Sequence, residues 1–304
     1  MSLGAASQMA RFFPVQIADL AHYGIAALLL FAGFYGMARL FVADLRPLSA
    51  VGFVRRPGIG GEFARGAALG WGIAIALVLP ALLTGNLHMS FTFDLASVVR
   101  TAISVAMLLA FALVLQLILA GLPVQMLLKA TSAAWACAAV VFVVVMLAIT
   151  GSASEGRTLL VMVAMAILFL MGFLRTRAIW FSLGLHAAWL LALLVLFGAP
   201  SSYAPPAFGI VQSETDGPGW LTGGLFGPDA SLFTVVVLLV ALVVAYRMTK
   251  DYAWHYTWQP LEGAGYPMDV PPPAEHLRQE QKQTAPLVQI GGLTSTTPVS
   301  HTEE

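Results

Sequence analysis

The chain has 304 residues, 59% of them hydrophobic and 10% charged, with 15 Lys and Arg balancing 15 Asp and Glu. Soluble domains carry about 25% charged residues, so this composition excludes an ordinary water-soluble domain. Zero formal net charge gives no reason to expect nucleic acid, and the single cysteine, Cys137, excludes an internal disulfide.

A bilayer core of roughly 30 Å needs about 20 apolar residues per helix. The apolar runs predict an all-α, polytopic transmembrane bundle with spans near 22–42, 66–85, 102–122, 133–150, 158–174, 178–198 and 231–248. The segment 1–21 carries Arg11 and Asp19, and the run that follows is long enough to span. It reads as an uncleaved helix rather than a secretory signal. The fourth and fifth runs are short, which leaves room for tilt or partial re-entry. Residues 22–250 then form the transmembrane domain, and 251–304 a cytoplasmic tail.

Basic residues set the expected orientation. Arg39, Arg46, Arg55, Arg56, Arg65, Lys129, Arg175, Arg177, Arg247 and Lys250 all fall on one side if seven spans alternate. The other side holds Arg11, Arg100 and Arg157, and its long loop 199–230 has no Lys or Arg. Lys and Arg accumulate on the cytoplasmic side, so the N-terminus is expected outside and the C-terminus inside an inner (plasma) membrane.

The loop Gly198–Ala230 is rich in Gly, Pro and Ser. A structureless loop of that length is uncommon, and is usually functional or disordered. Trp220, Leu221 and Phe226 suggest that it dips against the interface, where aromatic residues collect. The tail opens aromatic with Tyr252, Trp254, Tyr256 and Trp258, passes through Pro271-Pro272-Pro273, and ends polar. Beyond about Ala274 it has too few apolar residues to fold alone. No internal repeat is visible, so an inverted-repeat transporter plan gains no support.

The sixth run contains the most informative pattern: Leu174-Arg175-Thr176-Arg177-Ala178-Ile179-Trp180-Phe181-Ser182-Leu183-Gly184-Leu185-His186-Ala187-Ala188-Trp189. It resembles the last motif region of the CPBP family of intramembrane metalloproteases, also called Abi or type II CAAX prenyl endopeptidases. Gly219-Trp220-Leu221-Thr222-Gly223-Gly224-Leu225-Phe226-Gly227-Pro228-Asp229 is similar to the loop that bacterial members carry before their last helix. Val51-Gly52-Phe53-Val54-Arg55-Arg56 is similar to their first cytoplasmic connection. The resemblance spans roughly residues 25–250.

That resemblance implies a Glu-Glu-x-x-x-Arg helix, a Phe-x-x-x-His helix and a His-x-x-x-Asn or Asp helix. Residues four apart share a helical face, so an acid there could activate water while imidazoles hold a metal. Here the first motif falls by spacing on Leu115, Gln116 and Ala120, so both carboxylates and the arginine are missing. The second places Met146 where the family has histidine, and the third keeps His186 but has Leu190 in place of the amide or acid. His186 is thus a vestigial catalytic candidate.

No replacement constellation is evident. Zinc sites use three or four His, Cys, Asp or Glu ligands, and the region from Leu95 to Ser213 offers only His186, Cys137 and the loop residue Glu155. No cofactor is expected, zinc entering only with the enzyme reading. A Cys137–His186 nucleophilic pair is conceivable, although a lone buried cysteine is usually inert. Gln116 reads as an interhelical hydrogen-bonding residue, and His186 as paired with a backbone carbonyl or Ser182. His22 and His88 fall near the outer interface; His255, His276 and His301 lie in the tail. Met107, Met126, Met146, Met162 and Met165 read as packing residues.

Three function classes follow. The first is a non-catalytic CPBP relative that binds a membrane peptide, a lipid or a partner protein through the old substrate cavity. The second is an active intramembrane peptidase with an atypical site, which the missing carboxylates disfavour. The third is a small transporter, which usually keeps polar groups along its path.

Overall fold

A computed structural model describes residues 15–41, 47–55, 58–150 and 156–249. The tail expected over 251–304, and Glu155, lie outside the described residues. Eight helices are labelled here: α1 (Val15–Phe41), α2 (Ile59–Leu83), α3 (Leu95–Ala120), α4 (Leu122–Ala130), α5 (Ala133–Thr150), α6 (Gly156–Thr176), α7 (Trp180–Leu190) and α8 (Leu232–Met248). A π-helical turn, Leu191–Leu196, extends α7. The protein is mostly helical. α1, α2, the α3–α4 stretch and α6 are long and apolar enough to cross a membrane, whereas α5, α7 with its extension and α8 are shorter apolar helices.

α1, α2 and α3 each begin seven residues before the apolar run that predicted them. Backbone hydrogen bonding continues through polar first turns, so helix and span need not coincide. At α3 the extra turn is capped: Asp94 accepts a hydrogen bond from Ser97 N at 2.6 Å, satisfying a donor that the helix cannot. Ser231 caps α8 in the same way through Thr234 N.

Close packing centres on α2 and α7, and glycine makes it possible. A Cβ built on Gly66 would lie 2.0 Å from Phe181 O, one on Gly70 2.1 Å from Leu185 O, and one on Gly184 2.3 Å from Phe63 O. Without those hydrogens-only side chains, the two backbones could not touch. Helix association in lipid relies on such close approach, because lipid tails are as apolar as the side chains. Phe181, Leu185 and Trp189 of α7 are wholly buried as a result.

The corner between α6 and α7 docks on the segment before α2. Ile179 N donates to Gly52 O at 3.1 Å, and Trp180 Nε1 donates to Val54 O at 2.8 Å. Gly52 has φ 98°, a left-handed conformation that favours glycine. Nearby, Arg175 holds the end of α8: Nε donates to Thr249 Oγ1 at 2.7 Å and Nη2 to Thr249 O at 2.9 Å. Its guanidinium also stacks over Tyr246 at 4.3 Å. These contacts let a cation sit buried at a helix end without being left unpaired.

The expected all-α architecture holds, with one small addition. Leu87–Phe91 (β1) pairs antiparallel with Val211–Thr215 (β2), from Leu87 opposite Thr215 to Phe91 opposite Val211. The loop Gly198–Ala230 is therefore built rather than structureless. Besides β2 it contains a helical turn at Gly219–Thr222 and 3-10 turns at Gly224–Phe226 and Pro228–Ala230. A two-stranded ribbon is marginal alone, and this one is tied down. Ser213 N donates to Gly198 O at 2.9 Å, and Thr215 Oγ1 to Gly224 O at 2.8 Å. Within the loop Leu221 is buried, while Trp220 and Phe226 stay exposed.

Candidate functional site

The residues singled out by sequence do not share one space. His186 on α7 and Gln116 on α3 are wholly buried, as are Ala120 and Leu190 at the last positions of their helices. Met146 on α5 is 40% exposed. Leu115 lines a cleft.

That cleft lies between α3, α5 and α6. Leu115, Ile118 and Leu119 form one wall, Val143, Val144 and Leu147 a second, and Met162, Met165, Ala166 and Phe169 a third. Tyr203, from the loop after α7, completes it. The cavity is about 80 Å³. A second cavity of about 230 Å³ adjoins it and shares Ile118, Leu119 and Val143, reaching Phe34, Pro123, Val124 and Leu127 at the α4 end. α5 packs chiefly on α6 and α4, and the space it leaves beside α3 holds these two neighbouring apolar cavities. Among the described residues, Tyr203 carries the one hydroxyl in their lining.

His186 stands immediately behind that end. Its ring centroid is 4.6 Å from Phe169 and 6.1 Å from both Tyr203 and Phe111. Tyr203 Oη lies 3.4 Å from His186 Nε2, a long contact by hydrogen-bond standards. Nδ1 has no hydrogen-bond partner among the described residues. The expected pairing with Ser182 is corrected: one turn earlier on α7, Ser182 Oγ instead donates to Phe169 O at 2.7 Å across the α6 interface. Among the described residues, no carbonyl takes its place at His186.

The expected interhelical hydrogen bond of Gln116 is corrected too. Both amide atoms are buried and have no hydrogen-bond partner among the described residues. Its neighbours a turn away, Ala112 and Ala120, are buried alanines, which present nothing polar. An unsatisfied buried amide costs on the order of 1–3 kcal/mol.

A residue that sequence reading passed over organises the cleft's polar end. Asp229, wholly buried in the turn before α8, accepts from Ser201 Oγ and from Ser202 N at 2.9 Å. Ser201 Oγ in turn accepts from Ala204 N at 3.2 Å. This ties down the turn that presents Tyr203. Burial pushes the Asp229 carboxyl up to about 6, against the opposing effect of its hydrogen bonds to Ser201 and Ser202. Burial, and then the charge of Asp229, push the Tyr203 hydroxyl well above its ordinary range. Asp229 and Ser201 are 28 residues apart, so no local spacing announces the pair.

Other candidates disperse. Cys137 is half-buried against the core, and it does not line the cleft. His88 faces Asp216 at 3.6 Å, both well exposed beside the β-ribbon. Among the described residues, no three His, Cys, Asp or Glu side chains gather closely enough to hold a metal. No protein-family model matches the chain, nor does any curated protein or solved structure.

Proposed function

We propose that the chain is an integral membrane protein whose apolar cleft binds an apolar segment of a membrane partner, a lipid or a peptide, without cleaving it. The apolar helices are consistent with a bilayer environment. The groove between α3, α5 and α6 carries the reading: its lining offers side-chain packing and a single hydroxyl at Tyr203. General-base hydrolysis needs a positioned acid or base near the scissile bond. His186 sits behind Phe169 and Tyr203 rather than in the lining, and this geometry supports a cleft that binds without hydrolysis; CPBP descent rests on the sequence resemblance around Leu174–Trp189 alone. The reading calls for no zinc.

Photo-cross-linking tests it. A benzophenone side chain introduced at Val143 should capture a membrane lipid or peptide in native membranes. Ala166→Trp, which fills the cleft, should abolish that adduct, and His186→Gln should leave it. Cleavage of a membrane peptide by the purified protein, lost in His186→Gln with the adduct intact, would return the protein to the peptidases.

The same proposal includes seven spans, with α5, α7 and α8 crossing although short, and with the basic connections inside. With Cys137 replaced by alanine, cysteines at Gly58 and Ala264 should react with a membrane-impermeant thiol reagent from the cytoplasmic side. One at Glu214, exposed on β2, should react from the opposite side. Labelling of 58 and 214 from one side would overturn the seven-span arrangement.

A further inference from the structure

A second groove, separate from the cleft, lies toward the opposite end of α3, between the N-terminal halves of α1 and α3. It measures about 300 Å³ and is lined by Asp19 and Leu20 of α1, Arg100, Ile103, Ser104 and Met107 of α3, and Pro206 and Phe208 of the long loop. It brings together a carboxylate, a guanidinium and an apolar floor.

The far rim is held firmly. Ser104 Oγ donates to Phe208 O at 2.8 Å and accepts from Phe208 N at 3.0 Å. Thr101 Oγ1 accepts from Ile210 N at 3.0 Å. The loop therefore cannot slide over α3 without breaking three hydrogen bonds, and the groove has a defined width.

Among the described residues, both charges keep capacity for a ligand. Arg100 spends one donor on Ser97 Oγ at 2.9 Å and meets Asp94 only at 4.0 Å, with both side chains more than half exposed. Such a pair is worth little, and a guanidinium has five donors. Asp19 is exposed and meets no cation within salt-bridge distance among the described residues. Arg100 is five residues into α3, about 8 Å along the axis at the usual rise. It also stands two residues before the apolar run 102–122 that predicts this span, and a side chain just outside an apolar span falls in the headgroup layer.

We propose that this groove binds the headgroup of a zwitterionic phospholipid with a primary ammonium, such as phosphatidylethanolamine. The phosphate sits on the Arg100 guanidinium, where paired N–H donors suit its oxygens. The ammonium sits on Asp19, which only accepts. Leu20, Ile103, Met107 and Phe208 take the glycerol and upper acyl carbons. A phosphatidylglycerol headgroup has no cation for Asp19, and a choline headgroup has no N–H to donate. The apolar floor commits the site to lipid rather than to a free phosphate ester.

Native mass spectrometry of the full-length protein, exchanged into micelles with equal phosphatidylethanolamine, phosphatidylcholine and phosphatidylglycerol, tests this. The wild type should retain phosphatidylethanolamine over phosphatidylglycerol by about fivefold, the effect of one interfacial charge. Asp19→Asn should bring the two to parity, and Asp19→Lys should invert the preference, a gain that misfolding cannot imitate. Arg100→Gln should lower retention of all three. Ala166→Trp can remove lipid held in the cleft but should leave the preference for phosphatidylethanolamine over phosphatidylglycerol unchanged, which separates this groove from the cleft. Equal retention by the wild type, or a preference untouched by Asp19→Asn and Asp19→Lys, overturns the proposal. So does displacement of the lipid by millimolar free phosphoethanolamine, which would make the apolar floor irrelevant.

Discussion

Gly70→Ala should destabilise the protein severely, while Gly72→Ala, two residues along the same helix, should be neutral or stabilising. A methyl on Gly70 would stand 2.1 Å from Leu185 O, with Trp189 N at 2.9 Å, whereas nothing lies within 4 Å of the equivalent point on Gly72. Overpacking costs about 1–3 kcal/mol where side chains can yield. Here the obstacle is backbone on both sides, so the loss should lie at or above the upper end of that range. At Gly72 the helix-propensity term acts alone and favours alanine by up to about 1 kcal/mol. Thermal midpoints of the two variants in mild detergent make the comparison, because the substitution is identical and the host helix is the same. Similar midpoints would show that α2 and α7 do not meet through glycine. Gly184→Ala should follow Gly70→Ala, since its methyl would strike Phe63 O from the other helix.

Helix content was legible because apolar runs are long and unambiguous, and α5 falls on the run 133–150 that predicted it. The starts of α1, α2 and α3 were not, because hydropathy reports the side chains that tolerate lipid and says nothing of where backbone hydrogen bonding begins. The β-ribbon was hidden for another reason. Val211-Gln212-Ser213-Glu214-Thr215 alternates like a half-buried strand, but its partner lies more than 100 residues earlier, across five helices. The spacing Gly66-x-x-x-Gly70 was a readable signal for a close helix contact, and it passed unused beside the more conspicuous His186. The motif argument found a residue that is buried in the aromatic cluster at the cleft's end. It could not see that Phe169 and Tyr203 stand between that residue and the groove, because those neighbours come from a different helix and from the loop. Gln116 and Met146 were equated by spacing along the chain, and the helices turn one inward and the other outward.

The pH dependence of stability should carry the signature of Asp229. Its carboxyl is raised from 3.8 to about 6, chiefly by burial. Between about pH 4 and pH 6 the folded protein holds a proton that the unfolded chain has released, so stability must fall as pH rises through that window. Above about pH 6 the whole cost of keeping a buried carboxylate is present, and it no longer changes. The gap of about 2 pH units corresponds to about 3 kcal/mol. The thermal midpoint of the wild type in mild detergent should therefore rise as pH is lowered from 7 to 5. Asp229→Asn should remove that rise, since the amide cannot titrate. It should keep the bond from Ser202 N through its carbonyl, while losing the acceptor for Ser201 Oγ. The difference between the two proteins at each pH isolates Asp229 from the exposed carboxylates, which both share. A wild-type midpoint that climbs with pH relative to the variant would reverse the sign and exclude the raised carboxyl. Because Asp229 and Ser201 tie down the turn that presents Tyr203, the cross-link from position 143 should strengthen over the same window. A flat cross-linking yield alongside a sloping midpoint would mean that the turn stabilises the fold without shaping the cleft.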